Sequence, residues 1–217
     1  PQWTPAMPKS YKIRKSDQTP AMNNKVVYFP SCINQTMGLA KDSPVNQPLV
    51  KQMLSLLQKA GYEVIFPPKM EKLCCGTIWK SKGMLDIADS KSTELEAALW
   101  EASEQGRYPV LCDQSPCLHR MRATIQKIKL YEPAEFIYTF LRDKLEFTPT
   151  DRPIAIHITC SMRKMGLANT LISLAKLCST QVFIPEEVGC CGFAGDKGFT
   201  QPELNTYALR KLRPQLT

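Results

Sequence analysis

The residues best equipped for chemistry in this chain are its cysteines. There are nine, and four of them stand in two Cys-Cys-Gly triplets, Cys74-Cys75-Gly76 and Cys190-Cys191-Gly192. A disulfide between sequence neighbours strains the peptide bond joining them, so side-by-side thiols placed twice point to another partner, most simply a soft metal or an iron–sulfur cluster. The glycine after each pair permits positive φ and lets main-chain N–H groups approach the sulfurs. Histidine is scarce, with only His119 and His157, so a site built here is mostly thiolate. That donor set favours iron–sulfur or zinc and disfavours Mg²⁺ or Ca²⁺.

Within the first half of the chain, Cys32, Cys74, Cys75 and either Cys112 or Cys117 supply four thiolates from three separate loops, a complete cluster or zinc shell. Cys160, Cys190 and Cys191 supply three more in the second half. Free cysteine also serves as a small buried hydrophobe. That is the expectation for Cys178, at the end of an apolar helix, and Cys112, on an apolar strand, reads equally well as core or ligand. His157 reads as a packed or hydrogen-bonded core residue, and His119, two positions after Cys117, as a support for a ligand. The stretch Gly192 to Gly198 lacks Walker spacing and reads as a flexible loop closing over the cluster. Trp79, Trp100 and the methionines are expected to be packing residues.

The elements that must position these thiols follow a strand and helix alternation. With 217 residues, 43% hydrophobic and 22% charged, the chain has the material for a sizeable core. No apolar run approaches the roughly 20 residues that span a bilayer, and the Pro-rich start has no signal-peptide h-region. A cytoplasmic location is expected, at most peripheral to the inner face of a membrane. Nine cysteines in a reducing compartment are then ligands rather than a disulfide framework. The net charge of +8 comes without a dense Lys/Arg block interleaved with aromatics, so nucleic acid is not an expected partner.

Residues 1–25 have the Pro-rich, polar composition of a linker, and a chain that starts mid-linker without methionine is expected to be a fragment of something longer. Lys25 to Pro30 reads as a strand delivering Cys32 at its carboxyl end. Pro48 to Ala60 reads as a helix with Leu49, Met53, Leu56, Leu57 and Ala60 on its apolar face, and Tyr62 to Pro67 as a second strand leading into Cys74-Cys75. A long helix is predicted between Met84 and Gln105, with Leu85, Ala88, Leu95, Leu99 and Ala102 on or near one face. A strand over 108–113, a helix from Ser115 to about Lys127 with Ser115 as its cap, a short strand over 129–131 and a helix over 134–145 complete the half.

Residues 148–153, Thr-Pro-Thr-Asp-Arg-Pro, form the internal boundary, and the pattern then restarts. A strand over 154–160 ends in Cys160, a helix runs from Leu167 to Leu177, a strand covers 182–185, and Cys190-Cys191-Gly192 follows. Strand-Cys, helix, strand-Pro and Cys-Cys-Gly in the same order is an internal duplication. The expected fold is therefore α/β, with two similar half-domains of mainly parallel strands and flanking helices, 26–147 and 154–217, related by a pseudo-two-fold duplication. In such sheets ligands gather at the carboxyl ends of strands, where Cys32, Cys112 and Cys160 fall.

This arrangement resembles the duplicated cysteine-rich CCG family, whose motif is a Cys, a long spacer, Cys-Cys-Gly, a second spacer and a closing Cys-x-x-Cys. Members include heterodisulfide reductase B, the iron–sulfur subunit of glycolate oxidase, and the C-terminal region of FAD-linked D-lactate dehydrogenases. Tyr28-Phe29-Pro30-Ser31-Cys32, Cys112-Asp113-Gln114-Ser115-Pro116-Cys117 and Cys190-Cys191-Gly192-Phe193-Ala194-Gly195 resemble the D-lactate dehydrogenase branch most closely.

The resemblance implies a 4Fe-4S type cluster and an electron-transfer role in a larger oxidoreductase. A flavin on another part of the full-length protein would take electrons from a 2-hydroxy acid and pass them, through ferredoxin-like and cysteine-rich domains, to a quinone or other acceptor. The isolated chain would then not be active alone and would hold no proton-transfer catalyst. The closing motif of the first half is Cys112-x4-Cys117 rather than Cys-x-x-Cys, so the family pattern favours Cys117 as the ligand over Cys112. The closing cysteines of the second half do not appear, so that half is expected to be truncated. Two other functions fit the same thiols: a zinc-binding structural or assembly module, and direct thiol–disulfide chemistry of the heterodisulfide reductase kind.

Overall fold

The computed structural model describes residues 10, 12–14, 17, 19–39, 43–193 and 197–216. Most of the expected N-terminal linker, and Ala194 to Asp196 at the middle of the loop expected to close over a cluster, lie outside the described residues. The chain divides into two compact units, residues 2–133 and 134–217. The second begins within the helix Pro133–Phe136, and Ala134 packs in its core beside Ile156 and Ile158. Residues 134–147, placed by the sequence pattern at the close of the first half, thus group with the second unit.

The first unit is built on a four-stranded sheet in the order β2-β1-β3-β4, with every pairing parallel. Its strands are β1 (Asn24–Phe29), β2 (Tyr62–Ile65), β3 (Val110–Cys112) and β4 (Leu130–Tyr131). In β1, Val26, Val27 and Tyr28 are wholly buried and Phe29 is nearly so, as a strand covered on both faces requires. Chain order reverses between β1 and β3: the first crossover runs outward to β2, and the next returns past β1. Such a switch point opens a crevice at the carboxyl ends of the two strands. At the edge, β2 is covered by residues from the expected linker, with the Val64 N–H donating to Thr19 Oγ1 (2.6 Å) and the Glu63 carboxylate accepting from the Met22 N–H (3.3 Å).

The helices of this unit are α1 (Cys32–Thr36), α2 (Leu49–Lys59), α3 (Thr77–Ser81), α4 (Leu85–Ala102) and α5 (Ser115–Thr124). In α2 the buried residues are Val50, Met53, Leu54 and Leu57, a face turned slightly from the expected one, so that Leu49 is exposed. In α4 the buried stripe is Ala88, Ser92, Leu95 and Leu99, and Leu85 at the first turn lies outside it. Ser115 is the first helical residue of α5 rather than its cap; Gln114 holds the cap position, with Pro116 in the first turn.

The second unit contains α6 (Pro133–Phe136), continued by a π-type turn over Ile137–Leu141, then β5 (Ile154–Ala155), α7 (Cys160–Lys164), α8 (Ala168–Cys178), β6 (Val182–Phe183), α9 (Pro202–Ala208) and α10 (Arg213–Leu216). β5 and β6 pair in parallel, and the Ile156 N–H extends the ladder by donating to the Phe183 carbonyl (2.9 Å). The expected strand to Cys160 is therefore shorter, and its last residues run extended into α7. Ile156, Ile158, Met162, Leu167 and Ala175 form the interior. The protein is an α/β fold of duplicated halves with parallel strands and flanking helices.

Candidate metal centre

Cys32 opens α1 directly after β1. Ser31 caps that helix, its hydroxyl accepting from the Asn34 N–H (3.4 Å). The Ser31 N–H in turn donates to Asp113 Oδ1 (2.7 Å), and the Tyr28 hydroxyl donates to Asp113 Oδ2 (2.7 Å). One buried carboxylate after β3 thus ties down the loop after β1, across the switch point. Burial pushes the Asp113 carboxyl up, and these donors oppose that push.

Cys74 and Cys75 follow β2 and a short 3-10 turn at Met70–Lys72. Gly76 has φ +81, and a Cβ there would collide with the Ala88 carbonyl of α4. This turn aims the Gly76 N–H at Cys74 Sγ (3.3 Å), the backbone donor expected from the sequence. The Cys75 carbonyl accepts from Ser92 Oγ (3.2 Å) on α4 and Arg120 Nε (2.9 Å) on α5. Cys117 lies in the first turn of α5, after β3.

Four thiols meet in consequence. Each thiol shifts its neighbours: Cys74 raises the Cys32 pKa, Cys32 and Cys75 lower that of Cys74, and Cys117 and Cys74 raise that of Cys75, while Cys75 Sγ and Thr77 Oγ1 lie 3.2 Å apart. The neighbouring Cys32 and Cys75 thiols, with the Gly76 N–H and the Lys91 charge, lower the Cys74 pKa well below the ordinary thiol value. Cys32 is pushed up by the Cys74 thiol, by burial and by the Cys117 sulfur. Cys75 is pushed up by the Cys117 and Cys74 thiols and by burial. Among the described residues no group of three or more Cys, His, Asp or Glu closes into a cage for a single ion.

Cys112 is wholly buried at the end of β3, its thiol directed to the Gln114 carbonyl (3.9 Å) and pushed well up by burial. Of the two alternatives, Cys117 is half-buried and among the causes that raise the Cys75 pKa, whereas Cys112 is buried in the sheet. His119 is exposed on α5. Cys178 corrects the expectation of a buried hydrophobe: it is exposed at the last residue of α8, before the chain turns extended at Ser179. His157 is half-buried, and neither ring nitrogen has a hydrogen-bond partner among the described residues, so it is packed but not hydrogen-bonded.

The second unit repeats the local devices. Thr159 caps α7 by accepting from the Met162 N–H (3.3 Å), and Cys160 is the first helical residue, as Cys32 is after Ser31. The Gly192 N–H donates to Cys190 Sγ (3.3 Å) from φ +72, and a Cβ at Gly192 would collide with the Leu204 carbonyl of α9. Asn205 Nδ2 donates to the Cys191 carbonyl (2.8 Å), in the role that Ser92 and Arg120 fill for Cys75. Cys160, Cys190 and Cys191 are all exposed, and among the described residues no hydrogen bond joins their thiols.

The family described as the CCG cysteine-rich domain matches the chain twice, over residues 26–122 and 154–214. The chain belongs to this family. The two matched regions are the two repeats of the motif, and such domains commonly bind metal or iron–sulfur centres. No curated protein and no solved structure matches the chain.

Ser92, Asp113 and Arg120 were not among the site residues expected from the sequence. Their signals were present: Asp113 directly follows a strand-end cysteine, and Arg120 lies three residues after Cys117, one turn along the same helix face. A serine in the buried stripe of an otherwise apolar helix was the third.

Proposed function

We propose that Cys32, Cys74, Cys75 and Cys117 ligate a 4Fe-4S type cluster and that the chain is an electron-transfer module. The convergence of these four sulfurs from three loops at the switch point of a parallel sheet carries the reading. The donors fit the group: all are thiols, the pKa of one is lowered, and the Gly76 N–H and Lys91 supply the hydrogen bond and positive charge that stabilise sulfur-borne negative charge. A single zinc ion needs four sulfurs about 2.3 Å from one point. Thiols that do not close on one point suit a larger centre better. When bound, the cluster would supply one-electron chemistry, and its potential would be set by thiolate ligation, hydrogen bonds to sulfur and burial.

On the strength of the phrases around Cys32, Cys117 and Cys191, the larger reaction is that of an FAD-dependent 2-hydroxy-acid dehydrogenase of the D-lactate type. The flavin, the substrate site and ferredoxin-like clusters would lie on other parts of the full-length protein, with a quinone or other carrier as acceptor. Cys160, Cys190 and Cys191 would belong to a second centre of the same kind. Anaerobic reconstitution with iron and sulfide, followed by visible absorption and EPR, tests the cluster. The expected product is brown, with acid-labile sulfide and an EPR signal on reduction that Cys74→Ser and Cys117→Ser each abolish. A colourless protein holding stoichiometric zinc would replace this reading with a structural module.

A further inference from the structure

Arg120 is 7% exposed, and its guanidinium is anchored at two places. Nε donates to the Cys75 carbonyl (2.9 Å), and a terminal nitrogen donates to Asp89 Oδ1 (2.8 Å) on α4. Cys117 stands one turn earlier on α5, on the same helix face. A single helix therefore carries both a candidate ligand and the side chain that holds the Cys75 main chain. Next in the chain is Gly76, where a Cβ would lie 2.9 Å from Arg120 Nε and collide with the Ala88 carbonyl. The Cys-Cys-Gly turn is wedged between α4 and this guanidinium, so the direction in which both thiols point depends on it.

The charge of Arg120 matters as well as its shape. Its carboxylate partner, Asp89, has a side chain 71% exposed, so water screens that negative charge while the guanidinium stays buried behind the cysteines. The guanidinium lies against the Cys75 main chain, and a buried cation near a thiolate-ligated centre favours the ligands' charged form and a more reduced centre.

We propose that Arg120 is the positioning residue of this metal centre, fixing the Cys74-Cys75-Gly76 turn through the Cys75 carbonyl and supplying the buried positive charge behind it. This rests on the cluster reading above. Lysine keeps the charge but loses the planar fork that reaches Cys75 and Asp89 together, so the two contributions separate.

The test uses the full chain as Arg120→Gln and Arg120→Lys, each verified as folded by circular dichroism and reconstituted beside the parent. Iron uptake at limiting iron, midpoint potential and EPR line shape are the readouts. Expected are an iron affinity about 10- to 100-fold weaker in both variants, a lower potential in Arg120→Gln, and a potential restored towards the parent in Arg120→Lys. Parent-like affinity and potential in a folded Arg120→Gln would overturn the proposal while leaving the cluster reading intact. If Arg120→Gln does not fold, Arg120→Lys decides: parent-like affinity and line shape there would overturn it. A parent chain that takes up no cluster would overturn both.

Discussion

Cys74 differs from its neighbours in the direction in which its surroundings push its proton. The Cys32 and Cys75 thiols, the Gly76 N–H and Lys91 lower its pKa, whereas neighbouring sulfurs and burial raise those of Cys32 and Cys75. The sign of the pH dependence follows. Ligation needs thiolate, so the raised Cys32 and Cys75 must each lose a proton, whereas the lowered Cys74 gives its own up most readily. Iron uptake should therefore release protons and tighten as pH rises, which calorimetry in buffers of different ionisation enthalpy would measure. Uptake without proton release would contradict the thiol assignments. Asp113 acts at the same scale. Its carboxylate satisfies the buried Tyr28 hydroxyl and Ser31 N–H, and so holds the loop that delivers Cys32.

Turns placed against helices repeat across the chain. Gly76 against α4 and Gly192 against α9 share positive φ, a blocked Cβ direction and an N–H donated to the first sulfur of the pair. Gly61 has φ +77 and nothing within 4 Å of the position a methyl would take, so Gly61→Ala should cost about 1 kcal/mol from conformation alone. Gly76→Ala adds overlap with a backbone carbonyl and should cost roughly 3 kcal/mol. Urea unfolding of the two variants gives the comparison, and equal losses would show that α4 yields to the methyl. Metal uptake should fall in Gly76→Ala and hold in Gly61→Ala.

For the molecule as a whole, two units carry one motif in unequal states. The first brings four sulfurs together; in the second, Cys160, Cys190 and Cys191 are exposed. Replacing those three by serine in the full chain should leave the iron content and EPR signal of the first centre unchanged, whereas Cys32→Ser, Cys74→Ser, Cys75→Ser or Cys117→Ser should remove them. Iron analysis of each variant is the check, and loss of the first signal in the triple variant would show that the two motifs form one centre. No helix among the described residues is long and apolar enough to cross a membrane.

Much of this was legible in the residues themselves, because it is local. Alternating strand and helix patterns, vicinal cysteines followed by glycine, and the order of these features are written within short windows, and they determined the α/β class, the duplication and the candidate ligands. The packed faces of α2 and α4 shifted from the periodic reading because burial depends on where a helix lies on the sheet. Cys112 and Cys117 could not be separated by spacing alone. Only the tertiary structure places them differently, since β3 buries the Cys112 sulfur in the sheet and Cys117 stands half-buried in the first turn of α5. Asp113 and Arg120 were also decided there. Their partners stand 82 and 45 residues away, at Ser31 and Cys75, and a long-range hydrogen bond leaves no periodic trace in the chain that makes it.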